Sequence, residues 1–338
     1  MTRVSLIAPR VMERVRLRDV PLPGWRRWVA QAAIAWALGY GVLRVYWTLG
    51  TAPSPPRIGT DLIVFTGWWS VALCAAAAVV VVGLRRARWS RPLAVAAWCV
   101  AAALVAASAP LLLDLVAVIL PGIGVTVDAV AFLSRAVCLL GAVLVGATAL
   151  SYQRHWRGAC LVCGASGEPG PSTLPTGSPR WARVAAWAAV AGCLIRLLAQ
   201  VAVGFGSALL EGGWTVLLFE AGFLLAGTVL PLALVYPWGR VFPRWVPLLA
   251  GRHVPRWLVL GPGLVLGVGM TAYFGMTMVK IAVETITGTW DPGAASDPLW
   301  FFWVAVPAYL TWGLGLAGAA LAYQRVTRPP CRSCLNGT

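Results

Sequence analysis

The stretch VALCAAAAVVVVGLRRARWSRPLAVAAWCVAAALVA, residues 71–106, decides the fold class. It joins the end of one apolar run to the start of another, across a short gap holding Arg85, Arg86, Arg88 and Arg91. A helix crossing a bilayer needs about 20 mostly apolar residues. Charges that gather between such runs, and not along one face of them, mark the ends of spans. The same alternation continues in both directions. It predicts an all-α integral membrane protein with about eight transmembrane helices, at 28–49, 62–84, 93–120, 129–151, 184–204, 213–236, 257–283 and 299–322. The third and seventh runs are long and contain Pro110 and Pro262, whose missing N–H favours a bend.

Composition agrees. Of 338 residues 59% are hydrophobic and 11% charged, and the mean hydropathy is +0.79. A soluble domain carries about 25% charged residues, so a soluble fold of this size could not cover its surface. The net charge of +16 does not indicate nucleic acid, because the basic residues punctuate the gaps between apolar runs. All but Lys280 are arginine, which together with the Ala, Val, Gly and Pro content points to a high-GC bacterial genome.

Residues 1–27 carry seven Arg and no apolar stretch long enough for a signal peptide, and read as a basic cytoplasmic leader. In it Arg10, Arg14, Arg16 and Arg18 suit anionic headgroups. Alternate gaps carry Arg85, Arg86, Arg88 and Arg91, then Arg154, Arg157, Arg180 and Arg183, then Arg240, Arg244, Arg252 and Arg256. The C-terminal tail adds Arg325, Arg328 and Arg332. The opposite side has Arg57 alone, beside Asp61, Asp128, Glu211, Glu284, Asp291 and Asp297. The positive-inside rule therefore predicts both termini in the cytoplasm of a bacterial inner membrane. Trp25, Trp28, Trp89, Trp181, Trp238, Trp245 and Trp257 fall at the expected inner interface.

Two segments match. SYQRHWRGACLVCG (151–164) and AYQRVTRPPCRSCLNG (322–337) share Tyr152/Tyr323, Gln153/Gln324, Arg154/Arg325, Cys160/Cys331 and Cys163/Cys334 at one constant offset. WALGYGVLR, ending at Arg44, corresponds loosely to WAAVAGCLIR, ending at Arg196. The expected organisation is two tandem four-helix repeats, 28–165 and 180–338, each with a CxxC tail, joined by a Gly/Pro/Ser/Thr-rich linker at 166–179. An even number of spans per repeat gives the halves one orientation, related by an axis along the membrane normal. The stretch GYGVLRVYWTLG (39–50), followed by four-span units with CxxC tails, resembles uncharacterised multi-pass membrane proteins of actinobacterial type. That resemblance implies no activity and carries over no functional residues.

Cys160, Cys163, Cys331 and Cys334 form two CxxC knuckles on the expected cytoplasmic side. Four thiolates at this spacing suit a structural Zn²⁺ stapling the halves together. A redox role, or free thiols, remains the alternative, although a reducing compartment disfavours disulfides. Cys74, Cys99, Cys138 and Cys193 lie inside spans and read as packing residues.

Six ionisable residues fall inside the spans, all in the expected outer half: Arg44, Asp114, Arg135, Arg196, Glu220 and Lys280. A charge in hydrocarbon costs at least about 2.5–3.5 kcal/mol, so such residues face a bundle interior and pair. Six near one level fit a net-cationic cavity for an anionic small molecule or lipid headgroup. The bland alternative is plain ion pairing, Asp114 with Arg135 and Glu220 with Arg196, with Lys280 snorkelling. No GxGxxG, Walker A, HExxH or GxSxG motif is present. Three functions remain: a transporter or carrier of an anionic or lipid-like substrate, a membrane-embedded enzyme or accessory factor acting on a lipid or isoprenoid headgroup, and a structural membrane protein without a small-molecule site.

Overall fold

A computed structural model describes residues 24–50, 67–119, 128–157, 159–160, 178–204, 213–241, 251–290 and 298–327, without the side chains of 24–27, 213–217 and 219. The leader as far as residue 23, linker residues 166–177, the loop 291–297 and the tail from 328 lie outside them. Among the described residues every element is helical, apart from one isolated bridge between Val241 and His253. In chain order these are α1 (Gly24–Leu49), α2 (Gly67–Arg86), α3 (Arg91–Ala107), α4 (Leu111–Ile119), α5 (Ala129–Trp156) and α6 (Arg180–Val203). There follow α7 (Gly213–Leu224), a π-helical turn (Leu225–Val229), α8 (Leu230–Val235), α9 (Arg256–Thr287) and α10 (Leu299–Val326).

Seven helices are long and apolar enough to cross a membrane, counting α3 and α4 together as Arg91–Ile119. The remaining expected span, 213–236, forms the interrupted helix α7–π–α8, whose apolar part Glu220–Val235 is shorter. The chain is a multi-pass α-helical membrane protein. Its outward surface is inverted relative to a soluble fold: Leu38, Val42, Val79, Leu133, Leu198, Leu258, Val279 and Ile286 are exposed, while alanines fill the interior. In lipid, apolar burial does not drive helices together, so small residues that allow close approach define the inward face.

Both prolines singled out from the sequence sit within helical runs, with different results. At Pro110 the run divides. Ser108 closes α3 with its N–H on Leu104 and Val105, and its Oγ donates to the Val105 carbonyl. Pro110 has no N–H to continue the ladder. Leu111 then starts α4 with its N–H on Ser108. At Pro262, α9 continues without interruption. Pro231 went unremarked in the sequence. A helical proline clashes with the carbonyl four residues back, here that of Gly227, and the wider π turn Leu225–Val229 lies immediately before it.

The helices pack in two groups. In the first, α1 lies against α2 and α5, and α3 against α2 and α5. Its core is Ala33, Ala37, Ala77, Val81, Ala101, Leu104, Ala142 and Val145. In the second, α10 lies between α6 and α9, and α8 touches α6, α9 and α10. Here the core is Ala186, Ala189, Cys193, Leu234, Leu260, Leu316, Ala319 and Tyr323. The α6–α10 contact is close because glycines sit on both sides. A Cβ on Gly192 would lie 2.5 Å from the Ala308 carbonyl, and one on Gly315 2.4 Å from the Ala185 carbonyl. Contact between the groups is narrow and runs through α9 against α3 and α4.

Candidate functional site

The buried charges are held inside the two helix groups, at places set by i, i+4 spacing. On α1, Trp36, Tyr40 and Arg44 follow each other at four-residue intervals and so share one face. That face meets α5. Trp36 Nε1 donates to the Val137 carbonyl at 2.9 Å, and Tyr40 Oη lies 2.9 Å from Ser134 Oγ and 3.6 Å from Cys138 Sγ. The buried Arg44 guanidinium donates through Nη2 to Tyr40 Oη and, at 2.6 Å, to Ser134 Oγ. Its Cζ also lies 4.9 Å from the Tyr40 ring centre and 5.1 Å from that of Trp47, within cation–π range. Cys74 of α2 completes this cluster.

One residue along α5, Arg135 turns toward α4. Its Nη1 donates to both oxygens of Asp114, at 2.8 and 2.7 Å. The Asp114 side chain is fully buried and that of Arg135 is 10% exposed. The break at Pro110 restarts the helix as α4 and puts Asp114 in its first turn, where the helix dipole favours a negative charge. This is a closed, compensated pair.

The second group is built differently. Arg196 of α6 lies between α7 and α10. Its Nη1 is 3.5 Å from Glu220 Oε2, and its Cζ stands 4.6 Å from the Phe223 ring centre and 5.6 Å from that of Tyr309. Those rings belong to an aromatic wall. Phe274 stacks parallel on Tyr309 at 4.1 Å, and the Phe223 and Trp312 rings meet edge to face at 4.5 Å. The salt bridge is looser than that of Asp114, and the Glu220 side chain is 21% exposed. Two N–H groups here, Arg196 Nε and Trp312 Nε1, are buried with no acceptor among the described residues. The π turn positions the wall: its Gly227 comes so close to Cys193 that a Cβ would lie 2.2 Å from the sulfur.

Lys280 forms an i, i+4 pair with Glu284 at 3.7 Å on α9, with both side chains part exposed. The ion pairs between described residues thus stay within one helix group each: Asp114–Arg135 in the first, Arg196–Glu220 and Lys280–Glu284 in the second. Of the four CxxC cysteines only Cys160 is described; it lies half-buried just beyond α5. Cys163, Cys331 and Cys334 lie outside the described residues. Among the described residues no three His, Cys, Asp or Glu side chains gather as metal ligands.

Sequence reading reached the charges but not their neighbours. The four-residue spacing of Trp36, Tyr40 and Arg44, and of Ser134 and Cys138, is the signal that could have shown those shared faces. Phe223, Phe274, Tyr309 and Trp312 gave no comparable signal, because aromatic residues occur throughout the spans. The class defined by this fold is a multi-pass helical membrane protein with buried cationic side chains. In comparisons with protein-family models, curated proteins and solved structures, nothing matches the chain.

Proposed function

We propose that this protein is a membrane carrier of an anionic or lipid-like substrate, with its binding site at Arg196. The observation that carries the reading is the Arg196 environment. A buried guanidinium has one loosely held carboxylate, an aromatic wall and an Nε–H with no acceptor among the described residues. Buried donors are normally satisfied, so an anionic oxygen of a substrate is the natural complement here. The Phe223 and Tyr309 rings suit the apolar body of such a molecule.

We further propose that the carrier is a duplicated four-helix unit with both ends cytoplasmic in a bacterial inner membrane. Arg44 and Arg196 sit on the first helix of each half, and each faces the last helix. By the offset relating the two CxxC tails, Cys138 beside Arg44 corresponds to Tyr309 beside Arg196. The packing order also recurs, first helix to last and third to last. In the same reading the four CxxC cysteines hold a structural Zn²⁺ on the cytoplasmic side.

Glu220 supports a second reading. A part-exposed carboxylate beside a guanidinium can move a proton to or from a lipid or isoprenoid headgroup. Proteoliposomes test both. With fluorescent phosphatidylglycerol or a fluorescent polyprenyl phosphate in both leaflets, a carrier exposes the inner-leaflet probe to an external quencher. Arg196→Gln should abolish that exposure. Exposure no faster than in protein-free vesicles refutes the carrier, and a chemically altered headgroup found by mass spectrometry establishes the enzyme instead.

A further inference from the structure

Away from the Arg196 and Arg44 sites, the start of α1 and the ends of α2 and α5 enclose a half-open cavity of about 450 Å³. It lies at the opposite end of α1 from Arg44. Thirteen residues separate Gln31 from Arg44, or about 20 Å along the axis at 1.5 Å per residue. The cavity is graded. Its floor is the buried and apolar Val29, Ala30 and Leu84, whereas Gln31, Arg85 and His155 are exposed at its mouth. One wall is fixed by Tyr152. Its hydroxyl donates to the Arg88 carbonyl and accepts from Ser90 N–H, both at 2.8 Å, and Trp89 stacks on its ring. The cavity is therefore pinned to the turn between α2 and α3 and is built in advance.

We infer that this cavity binds the headgroup of an anionic phospholipid, with Arg85 and His155 at the phosphate and the glycerol and upper acyl carbons on the apolar floor. Three observations select that occupant. The volume lies within the range of small-ligand sites, about 300–1,000 Å³. The mouth is basic, so it disfavours the arginine-rich leader of this chain as a filling segment. The cavity opens at the ends of membrane-spanning helices, where Trp28 and Trp89 are also exposed, and interfacial tryptophans mark headgroup level. The site is independent of the carrier reading and would serve as a lipid anchor or sensor on the arginine-rich face.

The test is native mass spectrometry of the full chain, delipidated in detergent and offered phosphatidylglycerol or phosphatidylcholine at equal concentration. Wild type should retain phosphatidylglycerol at least fivefold more than phosphatidylcholine. Arg85→Gln/His155→Gln should remove that preference. Ala87→Trp adds bulk at an exposed lining position while keeping both basic groups, and should lower retention of the same lipid to a similar degree. The comparisons are made in the Arg196→Gln background, where lipid held at the proposed carrier site no longer counts toward retention; the preference should persist there, which separates the two sites. Equal retention of the two lipids, or unchanged retention in both cavity variants, overturns the inference. Displacement of the lipid by millimolar inorganic phosphate alone also overturns it, in favour of a free-phosphate site.

Discussion

Replacing Asp114 by leucine removes the carboxylate that Arg135 holds through both oxygens, from a fully buried side-chain position. Arg135 Nη1 holds both Asp114 oxygens at 2.7–2.8 Å, the Asp114 side chain is fully buried, and Arg135 is 10% exposed. Breaking one side of a buried pair costs about 3–5 kcal/mol, because the remaining charge loses that ion-pair partner. That corresponds to roughly two to three and a half powers of ten in the folding equilibrium. The double variant Asp114→Leu/Arg135→Met removes both charges and fills similar space with apolar atoms. It should return to within about 1.5 kcal/mol of the wild type, or exceed it. The assay is reversible unfolding in mixed detergent micelles, titrated with sodium dodecyl sulfate and followed by tryptophan fluorescence. The quantity read is the coupling energy of the double-mutant cycle, expected at about 2 kcal/mol or more. Single variants that each cost under about 1 kcal/mol, or a double variant no more stable than the singles, would refute the assignment of this pair as closed and structural.

Tyr40→Phe removes a hydroxyl shared by Arg44 and Ser134 and should cost about 1–3 kcal/mol in the same titration. Gly227→Ala places a methyl 2.2 Å from Cys193 Sγ and should destabilise by about 1–3 kcal/mol, and pairing it with Cys193→Gly should recover part of that loss. Elemental analysis of protein purified without chelator should find one zinc per chain, lost in Cys160→Ser. Absence of zinc in the wild type, with all four CxxC thiols alkylated at once, would sink the zinc reading.

The amino-acid sequence by itself determined the class. Runs such as 71–84 and 93–106, with Arg85 to Arg91 between them, leave no solvent-compatible arrangement. Helices are what satisfy a backbone in hydrocarbon along runs of this length. The break near Pro110 was also legible, since a missing N–H is a local property. Which residues face inward was not. In water the buried face is the apolar one, so hydrophobic periodicity reveals it. In lipid both faces are apolar, and the inner face is chosen by size: Ala33, Ala77, Ala186 and Gly315 lie inside, while Leu38, Val79, Leu198 and Leu314 lie outside. Only the tertiary structure decided that Asp114 and Arg135 close on each other, whereas Arg196 keeps a looser carboxylate and an aromatic wall. The first outcome depends on a helix restarting after Pro110 and the second on a π turn before Pro231, and how each break re-aims a charge is set by the neighbouring helices it meets.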